Sequence, residues 1–436
     1  MGGMEYRDFV NLGYNPGEKD LVCNFYFRSE EDPKWAAGAV AAESSIGTWD
    51  PELSTMHEDI RENGAVVFGI EEVEGDGSRI GEMMDGEKME VGTFEYEIEV
   101  AYPEVLFEAG NLPQILSSIT GNIYGLDELE NLRLDDVRFT EGVAEEFHGP
   151  SLGIEEIKDR AGAEDRPLVG TIVKPKLGLT AEQHAGVARK AWSGGLDIVK
   201  DDENLASMEF NEFYERVEKT LKAKREAEEE TGEKKIYFPN VTAPVGEMKK
   251  RADAVVGNGG RYVMIDILTA GWSSLQEMRE YLGDSVGIHA HRAQHAAYTR
   301  LPYHGISMMA VAKFARLSGV DNLHAGSVVG KMEGGKEEVV ELYEFLRTDW
   351  LNLENVIPVA SGGLHPGLVP ELVDILGRDI VIQAGGGVHG HPDGTRAGAK
   401  ALRKAVDEFA AGGSLSEARE KYEEIDRAVG KWGTGV

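Results

Sequence analysis

Cysteine is almost missing from this 436-residue chain: Cys23 stands alone, so no disulfide can form within it. Long apolar runs are missing too, and nothing approaches the roughly 20 residues of a membrane span. The opening MGGMEYRDFV lacks the basic stretch and apolar core of a signal peptide. It also lacks the Ser or Thr at position six that a myristoylation motif wants. The expectation is a cytoplasmic protein without membrane attachment. Basic residues are scarce, 45 Lys and Arg against 78 Asp and Glu, for a net charge of −33. That balance argues against nucleic acid as a partner. Self-repulsion of this size weakens a compact state in dilute buffer, and salt screens it. The acidity reads as a hydrated surface suited to a salty cytoplasm, as in a halophile; an acidic mesophilic enzyme is the alternative. An anionic substrate would need its own local nest of positive charge.

What is present is a globular composition, 41% hydrophobic, in a chain long enough for two domains. Residues 1–140 alternate strands and helices: strands over 20–28, 65–73, 94–102 and 132–139, helices over 33–45 and 112–120. An acidic, Gly-rich connection over 74–92 shows no apolar periodicity. The order β-α-β-β-α-β predicts a ferredoxin-like α+β domain. From 141 to 436 the pattern becomes strands separated by amphipathic helices. Strands ending at Lys174, Asp202, Thr242, Asp266, Arg292, Ser327, Gly363 and Gly387 predict a (β/α)₈ barrel, with catalysis at the mouth formed by their C-terminal ends. The fold class is therefore α/β, an α+β domain followed by a barrel.

The stretch GGLDIVKDDEN, Gly194 to Asn204, carries the sharpest chemistry. Leu196–Val199 is a short buried strand, and a cluster of charge follows it. Alternation puts Lys200 and Asp202 on one side with Glu203 at the turn, and such hard oxygen ligands suit Mg²⁺. The plainer alternative is a solvated charge run. GTIVKPKLGL brings Lys174 and Lys176 toward the same mouth, where a lysine can serve as acid or base; surface lysines are the alternative. In HAHRAQH, His289 and His291 share a face. A His-x-His pair can bind a transition metal, but we read His291 and Arg292 as donors to a hydroxyl and a phosphate, with His289 interior. HAGSVVGKMEGG offers a glycine-rich loop with Lys331 at its tip, a lid or merely an exposed loop. VASGGL and QAGGGVHGHP set Ser361, Gly362 and Gly363, then Gly385, Gly386 and Gly387, at helix entrances that suit phosphate. With Arg292 and His324 they suggest two phosphates, hence a bisphosphate.

Along nearly the whole chain these motifs, with AAESSIGTW (41–49) and GNIYGL (121–126), resemble the large subunit of ribulose-1,5-bisphosphate carboxylase/oxygenase. The segment NVTAPVGEMKKRA and the acidity are most similar to the archaeal form III enzymes. The resemblance implies Mg²⁺-dependent carboxylation and oxygenation of ribulose 1,5-bisphosphate, a lyase activity giving 3-phosphoglycerate, with substrate drawn from nucleotide (AMP) ribose. It implies that Lys200 takes up CO₂ as a carbamate, ligates Mg²⁺ with Asp202 and Glu203, and acts as the enolising base. Lys174 would protonate the final carbanion, tuned by Lys176. His291 would contact substrate hydroxyls, and Lys331 would hold the incoming carboxylate. Arg292 and His324 would grip one phosphate; Thr48, Trp49, Lys331, Gly363, Gly385 and Gly386 the other; Ser361 would bind the sugar, beside Gly362. Glu43, Thr48, Trp49 and Asn122 would reach into a neighbouring subunit's barrel. A homodimer or an assembly of dimers follows, without a small subunit. Ala384 and Ile172 depart from the plant pattern, where an aromatic residue and a threonine stand. Two rival readings are a family relative that only enolises a related sugar phosphate, and a non-catalytic phosphometabolite-binding homologue.

Overall fold

The computed structural model describes residues 5–47, 55, 58–73, 94–330 and 335–435. Two compact units emerge, one from the N-terminus to Phe147 together with Gln294–Phe314, the other His148–Ala293 with Ala315–Val436. The acidic connection at 74–92 lies outside the described residues.

The first unit is built on β1 (Asp20–Ser29), β2 (Val66–Glu72), β3 (Phe94–Pro103) and β4 (Asn131–Arg138). β1 runs antiparallel to β3 and β4, and β3 to β2, giving the ferredoxin-like order β4-β1-β3-β2. Phe25, Tyr26 and Phe27 of β1 are fully buried in it. The helix Pro33–Glu43 starts where Asp32 accepts a hydrogen bond from Trp35 N and proline opens the first turn. Asn111 and the following proline start Leu112–Ile119 in the same way. Both helices and all four strands match the sequence reading apart from a residue or two at their ends.

The second unit holds the barrel. Its strands are β5 (Leu168–Ile172), β6 (Ile198–Lys200), β7 (Ile236–Phe238), β8 (Tyr262–Asp266) and β9 (Gly287–His291). The chain then leaves to place β10 (Gly305–Ile306) parallel to β4 in the first sheet, and returns with β11 (Asn322–His324), β12 (Ile357–Ser361) and β13 (Val381–Gln383). The eight barrel strands are parallel in the order β7-β6-β5-β13-β12-β11-β9-β8. Closure between β7 and β8 comes from the bridge Asn240↔Met264, with Met264 N donating to Pro239 O at 2.8 Å.

Strand residues of one alternation class, among them Ile198, Phe238, Met264, Val359 and Val381, pack with Ile154 and Ile157 of the helix Gly153–Ala161, which stoppers the lower end. The same alternation carried upward points Lys200, Asp266 and His291 into the mouth. Six of the expected strands run two to four residues past the observed ends, the one expected to end at Arg292 runs one residue past His291, and only Asp266 coincides. The chain stays extended beyond the last ladder pair, as where Val173 N still donates to Lys200 O at 3.2 Å, but the strands splay there and pairing stops.

Candidate active site

Lys200 ends β6 with 1% exposure, its Nζ donating to Asp201 O at 2.9 Å, 3.5 Å from Met264 Sδ and 3.8 Å from Glu203 Oε2. Burial lowers its pKa, and the carboxylates of Glu203, Asp202 and Asp266 oppose that only in part. Asp202, equally buried, receives Lys174 Nζ at 2.8 Å. Glu203 would be raised by burial, but His291 and then Lys200 hold it below the usual carboxylate range. Lys176 reaches Asn204 Oδ1 at 3.0 Å and is exposed.

Asp201, drawn into the same charge cluster by sequence, faces the other way. It is fully buried and accepts from Arg216 Nε (3.0 Å), Tyr237 Oη (2.6 Å) and Asn240 N (3.0 Å), with His184 Nε2 also 3.0 Å away. Burial would raise its pKa, and Arg216 and His184 overcome this to hold it far below the usual range. Asp201 is thus a buttress behind the strand, separate from the mouth.

His291 bridges two carboxylates, Nδ1 3.3 Å from Asp266 Oδ1 and Nε2 3.5 Å from Glu203 Oε2. Beneath it His289 Nε2 meets His324 Nε2 at 3.0 Å, and His324 Nδ1 meets Ser361 Oγ at 3.0 Å. The His289 ring stacks on Phe238 with centroids 4.3 Å apart. Burial first, then neighbouring positive charge, holds both His289 and His324 well below the usual imidazole range, so they are neutral hydrogen-bonding groups. His324 is only 4% exposed and orients Ser361. Arg292 lies against Gly326, 3.2 Å from where a Cβ would stand.

Gly362 and Gly363 adopt φ of +108° and +69°, the left-handed region that favours glycine, and both are exposed at the end of β12. Gly385 lies against Lys174 Cε, 3.5 Å from its own would-be Cβ, and with Gly386 opens the short helix Gly386–His389. Glu43, accepting from Tyr6 Oη at 3.1 Å, and the exposed Asn122 belong to the first unit. Thr48, Trp49 and Lys331 lie outside the described residues.

Three groups here had no role from sequence. Asn240 Nδ2 donates to Glu203 O at 3.0 Å and lies 3.4 Å from Asp266 Oδ2, tying β7 to the acidic turn. Asp266 is the second carboxylate on His291. His389 sits 2.9 Å from Ile172 O and 3.0 Å from Thr171 Oγ1. For Asn240 and Asp266 the signal was position, at or just past a strand's C-terminal end, whereas His389 ends the short helix that follows β13. Among the described residues no three His, Cys, Asp or Glu side chains converge as a ready metal site. Instead a different lysine amine stands against each carboxylate, Lys174 on Asp202 at 2.8 Å and Lys200 3.8 Å from Glu203.

Models of two families match the chain: the ribulose bisphosphate carboxylase large chain N-terminal domain over residues 8–142, and its catalytic domain over 153–432. A ribulose bisphosphate carboxylase of Pyrococcus abyssi is 48% identical over 430 residues, covering 98% of this chain and 97% of that protein. That of Methanocaldococcus jannaschii is 47% identical over 441 residues, covering 98% and 100%. Among solved structures, an octameric Rubisco from Pyrococcus horikoshii in complex with sulfate superposes with a TM-score of 0.90 at 47% identity, covering 99% of this chain and 97% of that one. A dimeric archaeal Rubisco from Hyperthermus butylicus gives 0.88 at 42%, covering 98% and 99%.

Proposed function

This chain belongs to the ribulose bisphosphate carboxylase large-chain family, and from that premise we propose that it carboxylates, and oxygenates, ribulose 1,5-bisphosphate to yield 3-phosphoglycerate. The observation that carries the reading is the meeting of Lys200, Asp202 and Glu203 at the end of β6, with Lys174 on Asp202 at 2.8 Å.

The donor set fits Mg²⁺ when Lys200 is carbamylated. The buried amine has carboxylates on two sides, and a carbamate replaces its cation with the third hard oxygen ligand that Asp202 and Glu203 lack. Bound Mg²⁺ would supply Lewis-acid stabilisation of negative charge developing on the substrate's oxygens. Lys200, once carbamylated, would accept the proton from the carbon beside the substrate carbonyl. His291, held between Asp266 and Glu203, orients the hydroxyls. Lys174, poised on Asp202, returns a proton to the carbanion left by carbon–carbon cleavage, with Lys176 adjusting its charge. Ser361, fixed by His324, binds the sugar, while Arg292 with His324 holds one phosphate. Gly362, Gly363, Gly385 and Gly386 offer backbone to the other, and the left-handed turns at Gly362 and Gly363 let a phosphate approach closely. Lys331, Thr48 and Trp49 complete that end, Lys331 closing on the incoming carboxylate. Glu43 and Asn122, with Thr48 and Trp49, act on the barrel of a second copy, so the chain works as a dimer or an assembly of dimers without a small subunit. Of the relatives of known structure, that of Pyrococcus horikoshii is octameric and that of Hyperthermus butylicus dimeric.

The test is incubation with labelled CO₂, Mg²⁺ and ribulose 1,5-bisphosphate in high salt, scoring acid-stable label in 3-phosphoglycerate, with Lys200→Ala alongside. Label in the wild type alone is expected. Absence of label from folded wild-type protein across a salt series would overturn the reading in favour of a relative that only enolises.

A further inference from the structure

At the end of the barrel opposite Lys200, between the starts of β7 and β8, lies a cavity of about 540 Å³. Its lining gathers Arg160, Lys224, Lys234, Lys235 and Arg261 against one carboxylate, Glu228. This happens in a chain whose acidic residues outnumber basic ones 78 to 45, so chance composition predicts the opposite sign. Three of the five cations are neutralised within the chain: Arg160 by Glu156 at 2.7 Å, Lys224 by Glu228 at 2.9 Å and Lys235 by Glu233 at 2.7 Å. The other two, Lys234 and Arg261, stand exposed at the rim, and neither makes an ion pair with a described residue. On the floor lies the Tyr262 ring, 4% exposed, with its hydroxyl buried against the Arg160 guanidinium. Leu221 and Ile236 add apolar surface.

We propose that this cavity binds a small organic phosphate at a site separate from the catalytic mouth. The Arg261 fork and the Lys234 ammonium would hold the phosphate oxygens, as charge-assisted hydrogen bonds to phosphate favour such groups. The ligand body would lie against Leu221, Ile236 and the Tyr262 ring. The volume falls in the range of small-molecule sites, roughly 300–1,000 Å³, and suits a nucleoside or sugar phosphate better than a bare anion. In a molecule of this charge, a concave cluster of cations is also where an anion meets the least repulsion.

Calorimetric titration of the whole protein with ADP, glucose 6-phosphate and inorganic phosphate tests this, run on wild type and on Lys234→Gln/Arg261→Gln. Both proteins keep the catalytic mouth intact, so binding there is common to the two, and their difference reports the cavity. The expected result is an organic-phosphate isotherm in the wild type that weakens at least tenfold in the double variant. Carboxylation kcat and KM should stay unchanged. Whether ADP or glucose 6-phosphate is preferred identifies the ligand body, and either preference supports the site. Arg261→Gln alone should give an intermediate loss, and equal unfolding midpoints without ligand show that the variants fold. Identical isotherms in wild type and variants, or binding of inorganic phosphate alone, would overturn the proposal. Neither outcome depends on whether the protein proves to be a carboxylase.

Discussion

Neighbouring carboxylates of the run KDDE have opposite environments, and the difference is a matter of strand alternation. Asp202 turns into the mouth toward Lys174, whereas Asp201 turns out into a closed network with Arg216, Tyr237 and the Asn240 amide. Arg216 is itself fully buried, so removing the anion strands a guanidinium away from water. Asp201→Asn should therefore cost about 3–5 kcal/mol of stability, read from urea unfolding midpoints. A change under about 1 kcal/mol would mean the network does not hold the strand. Alternation made Lys200 and Asp202 legible from sequence as partners, but charge alone gave no reason to separate Asp201 as a buttress. Asn240 and Asp266 stayed hidden for a related reason: their roles depend on contacts between strands distant in sequence. His389 offers a second test. Burial, opposed only by its hydrogen bond to Ile172 O, brings its pKa down to about 4. The unfolded chain takes up a proton on this group near its ordinary pKa of about 6.5 while the folded chain does not, so stability falls as pH drops from there toward 4. The contribution has an upper bound of about 3 kcal/mol across that window. His389→Gln should flatten the pH dependence of the unfolding midpoint between pH 6.5 and 4 relative to wild type. Parallel profiles would show that the imidazole does not govern acid lability.

At the scale of elements, most of the architecture was readable because the barrel strands are buried on both faces and so appear as short apolar runs. Their C-terminal ends were not, since polar and glycine residues at the mouth prolong an extended look after the ladder has ended. β10 left no trace, being only Gly305–Ile306 inside an irregular segment. It is held by tertiary contacts, Tyr124 Oη on Gly305 O at 2.6 Å and Arg133 on Leu301 O at 2.5 Å, which no local pattern announces. A similar device ends the helix Lys336–Arg347. Arg316, fully buried, donates to the carbonyls of Phe345, Thr348, Leu353 and Glu354 at 2.9–3.1 Å. Helix C-termini leave carbonyls without intrahelical partners and carry partial negative charge, so one cation satisfies several acceptors at once. Arg316→Met keeps the apolar stem but orphans these carbonyls, and should destabilise by roughly 3 kcal/mol, with the unpaired acceptors deciding the size. Hydrogen exchange should quicken first across 345–354. Uniform quickening over the whole barrel, with no local excess, would show that Arg316 is not a local pin.

For the whole molecule, opposing electrostatic effects compete under salt, and their magnitudes decide the sign. Exposed ion pairs such as Arg189–Glu226 and Arg419–Asp426 are each worth about 0–1 kcal/mol, and salt erodes them only in part. Against them stands the mutual repulsion of a net charge of −33, spread over a surface where like charges lie within a Debye length at low ionic strength. Raising KCl from 0.1 to 1 M shortens that length from about 10 to about 3 Å. Pairs at contact distance lose little, because their separations are already near the shorter value. Repulsion between charges 5–10 Å apart, which involves far more pairs in so acidic a chain, is largely removed. The unfolding midpoint should therefore rise with KCl and level off once screening is complete, whereas sucrose of equal osmolality, which screens nothing, should not reproduce the early steep part of the rise. A midpoint that is flat or falls with KCl would mean that ion pairs, rather than repulsion, dominate this surface. The acidic composition would then carry no information about the ionic strength in which the protein works.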